Sequence, residues 1–433
     1  MKKQISLLLS LFLVFGLLFT SCAKEANYGE DWCAESIPSL KEAYSNIFNT
    51  FGIACEWDPY NRNWAELGSA TVRKGLAKHA DSITMGNEFK PQFIFACWGG
   101  NPQVSGTFTA SNGVTISTPV LNGFGTVDSC LKAAKDSGLI MRGHVLVWHS
   151  QTEEAFFREN YMNNGNLVDK DTMTARQEWY IKTVIEHVNN WEKQNNGGKH
   201  IVWAWDVVNE AMADDAGTTY TGSNQDWLRG STGGTKDKAP DQGGSRWYQI
   251  YGNEEFILNA FRFANKYAPA DVKLCYNDYN EYMGSKTDAC LHIISLLKED
   301  AGITLGSEEF KARIDVMGMQ SHVQPYWPGV SSYENALKRF LNAGVDVHVT
   351  ELDIAAKTQG EAATAYGDYF RMLKKYGKNY SGAHKVENVT VWGISSQDSW
   401  ISKNGTQFPL LFDRKGSSYY SNSSFDAVIA ASK

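Results

Sequence analysis

Eight short apolar runs, each followed by a stretch of helical pattern, recur along the 433 residues. The runs read as strands at 51–57 (FGIACEW), 82–88 (SITMGNE), 139–149 (LIMRGHVLVWH) and 200–210 (HIVWAWDVVNE). Four more follow at 272–280 (VKLCYNDYN), 314–323 (IDVMGMQSHV), 346–354 (DVHVTELDI) and 388–395 (NVTVWGIS). Helical patterns fall between them, as at 174–194, 254–268 and 331–344, the last closing on Gly344, a helix stop. Parallel strands need a crossover between them, and a helix supplies it, so this alternation predicts a parallel sheet. Eight such units predict an α/β fold of the (β/α)8 TIM-barrel kind, one domain with enlarged loops after the strands. The alternative is an open doubly wound sheet. Against it, no glycine-rich phosphate loop is found. The stretch NGFGTVDS (122–129) does not fit the dinucleotide pattern, and no nucleotide cofactor is expected.

In a closed barrel the C-terminal ends of the strands converge on one mouth, where the functional site lies. The residues at those ends are Asn87–Glu88, Trp148–His149, Asn209–Glu210, Asn277–Asp278, Gln320, His322, Glu351, Asp353 and Trp392. A ring so rich in acids, amides and aromatics suits a polyhydroxylated ligand better than it suits a structural end. Alternation along a strand puts Val347, Val349, Glu351 and Asp353 on one face. Glu210 and Glu351 then oppose each other across the mouth. Glycoside hydrolysis requires such a pair, one carboxyl protonated and one ionised. Asp353 and His322 are expected to keep Glu351 ionised and oriented. The charge of Glu351 is expected to raise the pKa of Glu210, fitting it to donate a proton. His144 shares a face with Leu146 and Trp148 and is expected in the mouth. His149, five residues on, is expected to pack or turn outward, so the two form no metal site. His348 is out of phase with Glu351 and is read as helix-facing, and Asp206 as a deeper, structural acid. On this reading alone Lys90 is equally a solvated surface lysine.

Several ordered segments resemble the glycoside hydrolases of family ten, chiefly endo-β-1,4-xylanases. GVDVHVTELDI (344–354) is similar to that family's nucleophile signature and WDVVNEA (205–211) to its acid/base segment. MRGHVLVWHSQ (141–151), YNDYN (276–280), MGMQSH (317–322), VTVWGIS (389–395) and FPLLFD (408–413) are similar too, in the family's order. The resemblance covers about 40–430 and implies a barrel catalytic domain over that span. It implies retaining cleavage of xylan, with Glu351 as nucleophile and Glu210 as acid/base. Asn209 would bond the 2-hydroxyl of the sugar being cleaved, His322 would partner Glu351, and Gln320 would support the carboxylates. Lys90, His144 and Gln151 would bind hydroxyls on the non-reducing side, with Asn87 reaching the next sugar out. Trp148, Trp392 and Trp400 would wall the cleaved sugar, and Tyr279 would lie near the leaving side. No cofactor and no metal are implied. The chain departs from the family in two places. Gly86 stands before Asn87 where many members have Glu, and SQDS (396–399) replaces the usual DKYS. These departures keep a mixed-linkage or cello-type β-glycan open as substrate. A non-catalytic glycan-binding protein on the same scaffold is a further alternative, whose mark would be loss of one carboxylate; both are present.

The ends and the loops complete the reading. Residues 1–22 have a basic tip, an apolar run and Cys22 after FTS, the pattern of a lipoprotein signal whose lipidated Cys22 would supply a membrane anchor. Simple secretion is the alternative. Residues 23–39 are expected to be a tether. Long segments at 91–126, with a small β-rich excursion, and at 212–247 fall on the loops that shape a barrel mouth. A net charge of −7 with no Lys/Arg-rich run argues against a nucleic-acid partner. A monomer is expected, and the pairing of the six remaining cysteines is left open.

Overall fold

The computed structural model describes residues 29–58, 65–213, 227–232, 234–402 and 407–433. Eight strands form its centre: β1 (Thr50–Cys55), β2 (Ser82–Met85), β3 (Ile140–Trp148), β4 (Val202–Asn209), β5 (Lys273–Asp278), β6 (Val316–Met319), β7 (Asp346–Ile354) and β8 (Val386–Val391). Each pairs in parallel with the next, and β8 pairs with β1, so the sheet closes. Eight helices surround it: α1 (Ala70–His79), α2 (Phe124–Asp136), α3 (Lys170–Asn195), α4 (Glu255–Tyr267), α5 (Gly284–Lys298), α6 (Val330–Asn342), α7 (Gln359–Lys374) and α8 (Ser423–Ser432). The expected (β/α)8 barrel is therefore present. The β-rich excursion in 91–126 is an antiparallel hairpin, Val104–Thr109 with Thr115–Pro119.

Local chemistry sets the boundaries. The Asp169 carboxylate accepts the amide of Thr172 and starts α3. Thr358 and Glu361 form a reciprocal capping box at the start of α7, worth about 1 kcal/mol. Gly344, just past α6, has φ 81°, a left-handed conformation that favours glycine. The strands are buried on both faces, against helices outside and against each other within.

The inside of the barrel corrects the simple alternation. Across β7 and β8 the register slips, Val349 facing Val389 but Leu352 facing Val391, so β7 carries one extra residue. Thr350 and Glu351, consecutive in sequence, both contact Asn277 of β5. His348 and Thr350 meet Trp203 and Asn277 across the barrel interior, so Val347 and Val349 beside them point outward and do not share the face of Glu351 and Asp353. His348 is corrected as well. Its ring lies 4.9 Å from that of Trp203 on β4, a strand not adjacent to β7, so it turns into the barrel instead of toward the helices.

The amino-terminal expectations divide. The signal segment 1–22, Cys22 and 23–28 lie outside the described residues. The remainder of the expected tether, from 29 on, belongs to the folded body. Trp32 is 2% exposed, its amide donates to Tyr419 O, and Asp31 bridges to Tyr420. An indole buried among Tyr419, Phe412 and His79 holds this segment to the barrel. The six described cysteines are all unpaired.

Candidate active site

Glu210 follows the last residue of β4 with φ 56°, a conformation uncommon for a residue with a side chain and costing about 1–3 kcal/mol. Hydrogen bonds hold it there: its amide donates to Asn277 O at 2.8 Å, and Arg229 Nε donates to its carbonyl at 2.7 Å. Its carboxyl oxygens accept from Trp148 Nε1 at 2.8 Å and Gln320 Nε2 at 3.0 Å. The pKa of Glu210 is raised as expected, but by burial first and by nearby Asp278, not by the charge of Glu351; Arg229, Gln320 and Trp148 only partly oppose the rise.

Glu351 is tuned the other way. Burial disfavours its charge, but the His322 hydrogen bond and the fields of His144 and His322 outweigh burial and lower its pKa. Oε1 accepts from Asn277 Nδ2 at 2.8 Å, and Oε2 lies 3.3 Å from His322 Nε2. The other ring nitrogen of His322 lies 2.8 Å from Asp353 Oδ1. Burial works against the imidazolium, yet these two carboxylates hold its pKa well above the ordinary value. Asp353 is fixed in turn by Trp400 Nε1 at 2.8 Å.

One chain of hydrogen bonds joins the two glutamates. Gln320 Nε2 donates to Glu210 and, at 3.1 Å, to Asn209 Oδ1. Asn277 Nδ2 donates to the same Asn209 oxygen at 2.8 Å and to Glu351. Asn277 reaches across β6 because that strand has a glycine there: a Cβ on Gly318 would come within 2.4 Å of Asn277 Oδ1. Asn209 Oδ1 thus takes two donors, which turns its Nδ2 away from both.

A second cluster adjoins the first. Lys90 is 7% exposed, with Nζ 2.8 Å from Gln151 Oε1, 3.3 Å from Asn87 Oδ1 and 5.1 Å from the centre of the Trp148 ring. It is not a solvated surface lysine. Burial lowers its pKa against the opposing fields of Glu351, Glu210, Glu56 and Glu88. His144 is buried, hydrogen-bonded at 2.9 Å to Asp206, with its ring 5.5 Å from that of Trp392. Asp206 is fully buried and also salt-bridged to Arg142, in the structural place expected for it. Trp400 is 63% exposed. Tyr279 lies at the other end, its hydroxyl 3.0 Å from Arg229 Nη2. The SQDS segment leading to Trp400 is tied down by Arg414, which bonds both oxygens of Asp398 at 2.7 and 3.0 Å. Among the described residues no His, Cys, Asp and Glu cluster is arranged to hold a metal ion.

The structure thus brings all fourteen expected site residues to one end of the barrel, and it adds others. Of the two placements open to His149, the structure shows packing: Nδ1 stands 4.0 Å from Glu210 Oε2. The register slip between His144 and Val147 against β4 breaks the alternation that set it on the face opposite His144. Asn277 was visible only as a strand-end amide. Arg229 sits in a loop with no periodic signal to single it out.

A (β/α)8 barrel whose mouth holds two carboxyls tuned in opposite directions, amid tryptophans and amides, has the constellation that glycoside hydrolysis requires. Residues 39–431 match the model of Glycosyl hydrolase family 10, and the chain belongs to that family. It is 33% identical over 403 residues to the bifunctional endo-1,4-beta-xylanase XylA of Ruminococcus flavefaciens, covering 92% of this chain and 35% of that protein. It is 31% identical over 380 residues to endo-1,4-beta-xylanase Y of Acetivibrio thermocellus, covering 86% and 30%. The chain therefore spans about a third of the length of these curated relatives. Among solved structures, the CBM22-1-GH10 modules of endo-1,4-beta-D-xylanase 10B from Clostridium thermocellum, complexed with xylohexaose, superpose with a TM-score of 0.70. They are 29% identical, over 92% of this chain and 68% of that one.

Proposed function

We propose that the chain is an endo-β-1,4-xylanase that cleaves internal bonds of xylan by double displacement with retention. The observation that carries this is the opposed tuning of Glu210 and Glu351 at the two ends of one hydrogen-bond chain. In the first step Glu351 attacks the anomeric carbon while protonated Glu210 gives its proton to the departing sugar oxygen. The glycosidic bond breaks as the glycosyl–Glu351 ester forms. Having given up its proton, Glu210 is left ionised beside the uncharged ester. Ionised Glu210 takes a proton from water, whose oxygen attacks the same carbon and releases Glu351.

The other side chains serve these steps. His322 and Asp353 keep Glu351 ionised, and Gln320 sets the orientation of Glu210. Asn209 Nδ2, turned from its neighbours, bonds the 2-hydroxyl of the cleaved sugar. Lys90, His144 and Gln151 bind hydroxyls on the non-reducing side and Asn87 those of the next sugar. Trp148, Trp392 and Trp400 enclose the cleaved ring, and Tyr279 meets the leaving side. Xylose lacks the hydroxymethyl group of glucose, so close tryptophan walls admit one and crowd the other.

The test uses protein lacking residues 1–22, xylohexaose, and proton NMR from the first minutes. A β-anomer appearing first is expected. An α-anomer first would overturn retention, and absence of cleavage would overturn the substrate. The same reading takes the chain as an exported monomer held at the cell envelope by lipid on Cys22. Wild type in membranes and Cys22→Ala in the soluble fraction are expected; equal distribution would refute the anchor.

A further inference from the structure

Where many family members have a glutamate before Asn87, this chain has Gly86, and a different carboxylate stands against that glycine. A Cβ on Gly86 would lie 3.1 Å from Glu56 Cγ and 3.4 Å from Glu56 Oε1. Glu56 comes from the end of β1, the strand adjoining β2. Its Oε1 accepts from Asn87 Nδ2 at 2.8 Å. Through Asn87 it joins Lys90 and Gln151 in one network. Glu56 also lines a cavity of about 140 Å³ together with Gly86, Trp392 and Trp400. Two of the tryptophans proposed to enclose the cleaved sugar thus border the same space.

The backbone around Glu56 is fixed on several sides. Its amide donates to Glu66 Oε2 at 2.8 Å, and its carbonyl accepts from Leu67 N at 2.9 Å. The amide of Trp57 donates to Glu88 Oε1 at 2.6 Å, and Gly86 N donates to Cys55 O at 2.8 Å. A carboxylate held this firmly is preorganised for a ligand and loses little freedom on binding.

We propose that Glu56 binds the hydroxyls of the sugar next to the cleaved one on its non-reducing side, and that Gly86 leaves the room for it to do so. The inference rests on the xylan reading of the site and assigns one of its specificity residues. A carboxylate accepts from two adjacent equatorial hydroxyls at once, and such charge-assisted bonds are the stronger kind. A carboxylate beside Asn87 is thereby supplied from the end of β1, where many family members carry one at the position of Gly86.

Two aryl glycosides isolate the effect. A nitrophenyl β-xyloside fills only the cleaved-sugar position, whereas the nitrophenyl β-xylobioside also fills the position beside Glu56. In Glu56→Ala and Glu56→Gln, kcat/KM on the xylobioside is expected to fall about tenfold to a hundredfold, and that on the xyloside to fall far less. Gly86→Glu added to Glu56→Ala is expected to restore xylobioside turnover, because the two Glu56 atoms a Cβ at 86 would crowd are then gone. An equal loss on both substrates, or no loss on either, would overturn the assignment; so would a double variant with normal xyloside turnover and no recovery on the xylobioside. A wild-type protein inactive on both xylosides but active on a cellobioside would overturn the xylan reading and this inference with it. Wild-type turnover of the xylobioside with unaltered Glu56 variants would overturn this inference alone.

Discussion

Glu281 lies just past β5 with its side chain fully buried, and neither carboxyl oxygen has a hydrogen-bond partner in any other described residue. Burial pushes its pKa from the usual 4.5 to about 8, with Asp278 adding to the rise and its own backbone amide, Lys286 and His322 opposing it. The folded protein therefore keeps a proton that the unfolded chain releases. A group raised in this way contributes stability that is complete below pH 4.5 and is lost as pH climbs to about 8. That span, at about 1.4 kcal/mol for each pH unit, comes to about 5 kcal/mol as an upper figure. Glu281→Gln keeps the shape and cannot ionise. Any cost of burying its amide is the same at every pH, so it offsets the comparison without tilting it. Urea unfolding of both proteins at intervals from pH 5 to pH 9 is the assay. The stability of the variant relative to wild type is expected to climb steadily and level off above about pH 8. A difference that stays flat across the range would refute the reasoning, since it would mean that Glu281 is protonated or ionised alike in both states.

Three further outcomes follow from the mouth of the barrel. With azide present, Glu351→Ala is expected to give an α-xylobiosyl azide from an activated aryl xylobioside and Glu210→Ala a β-xylobiosyl azide; exchanged products would reverse the assigned roles. Trp148→Phe removes a hydrogen bond that holds down the pKa of Glu210, so the alkaline limb of the kcat/KM profile is expected to move to higher pH, and an unmoved limb would count against Glu210 as the acid. Asn277→Ala breaks the bridge between Asn209 and Glu351 and is expected to lower kcat about a hundredfold on xylohexaose with little change in KM; the opposite split would make Asn277 a substrate contact.

The barrel was legible because its signal is repeated eight times and each repeat is long. Apolar runs bounded by polar strand ends locate all eight strands, and Gly344 marks the end of α6 as read. The separate positions of Glu210 and Glu351 were legible for the same reason, since the ends of strands in a closed barrel must meet. Their connection was not. Asn277, Gly318 and Gln320 lie on β5, β6 and the loop beyond it, and nothing in their spacing says that a glycine on one strand clears the way for an amide on another. The tether was misread past residue 28 because its few apolar residues show no period, although Trp32 among them is almost fully buried.

Errors of facing cluster at the site, and for one physical reason. A two-residue period cannot bring three or four groups from one strand end to a common point, because alternate side chains leave on the far side. The chain escapes this limit by breaking the strands where the site is built. β7 slips between Val349 and Leu352, β3 between His144 and Val147, and β4 between Asp206 and Val208. Gln151, Glu210, Asn280 and Ser321, all at or beyond strand ends, take up positive φ. The slip in β7 lets Thr350 and Glu351 both meet Asn277, which strict alternation forbids. The same slip puts His348 inside the barrel and leaves Val347 and Val349 to the helices. The bulges and left-handed residues that make the sequence hardest to read are thus the means by which two carboxyls of opposite tuning are set around one mouth.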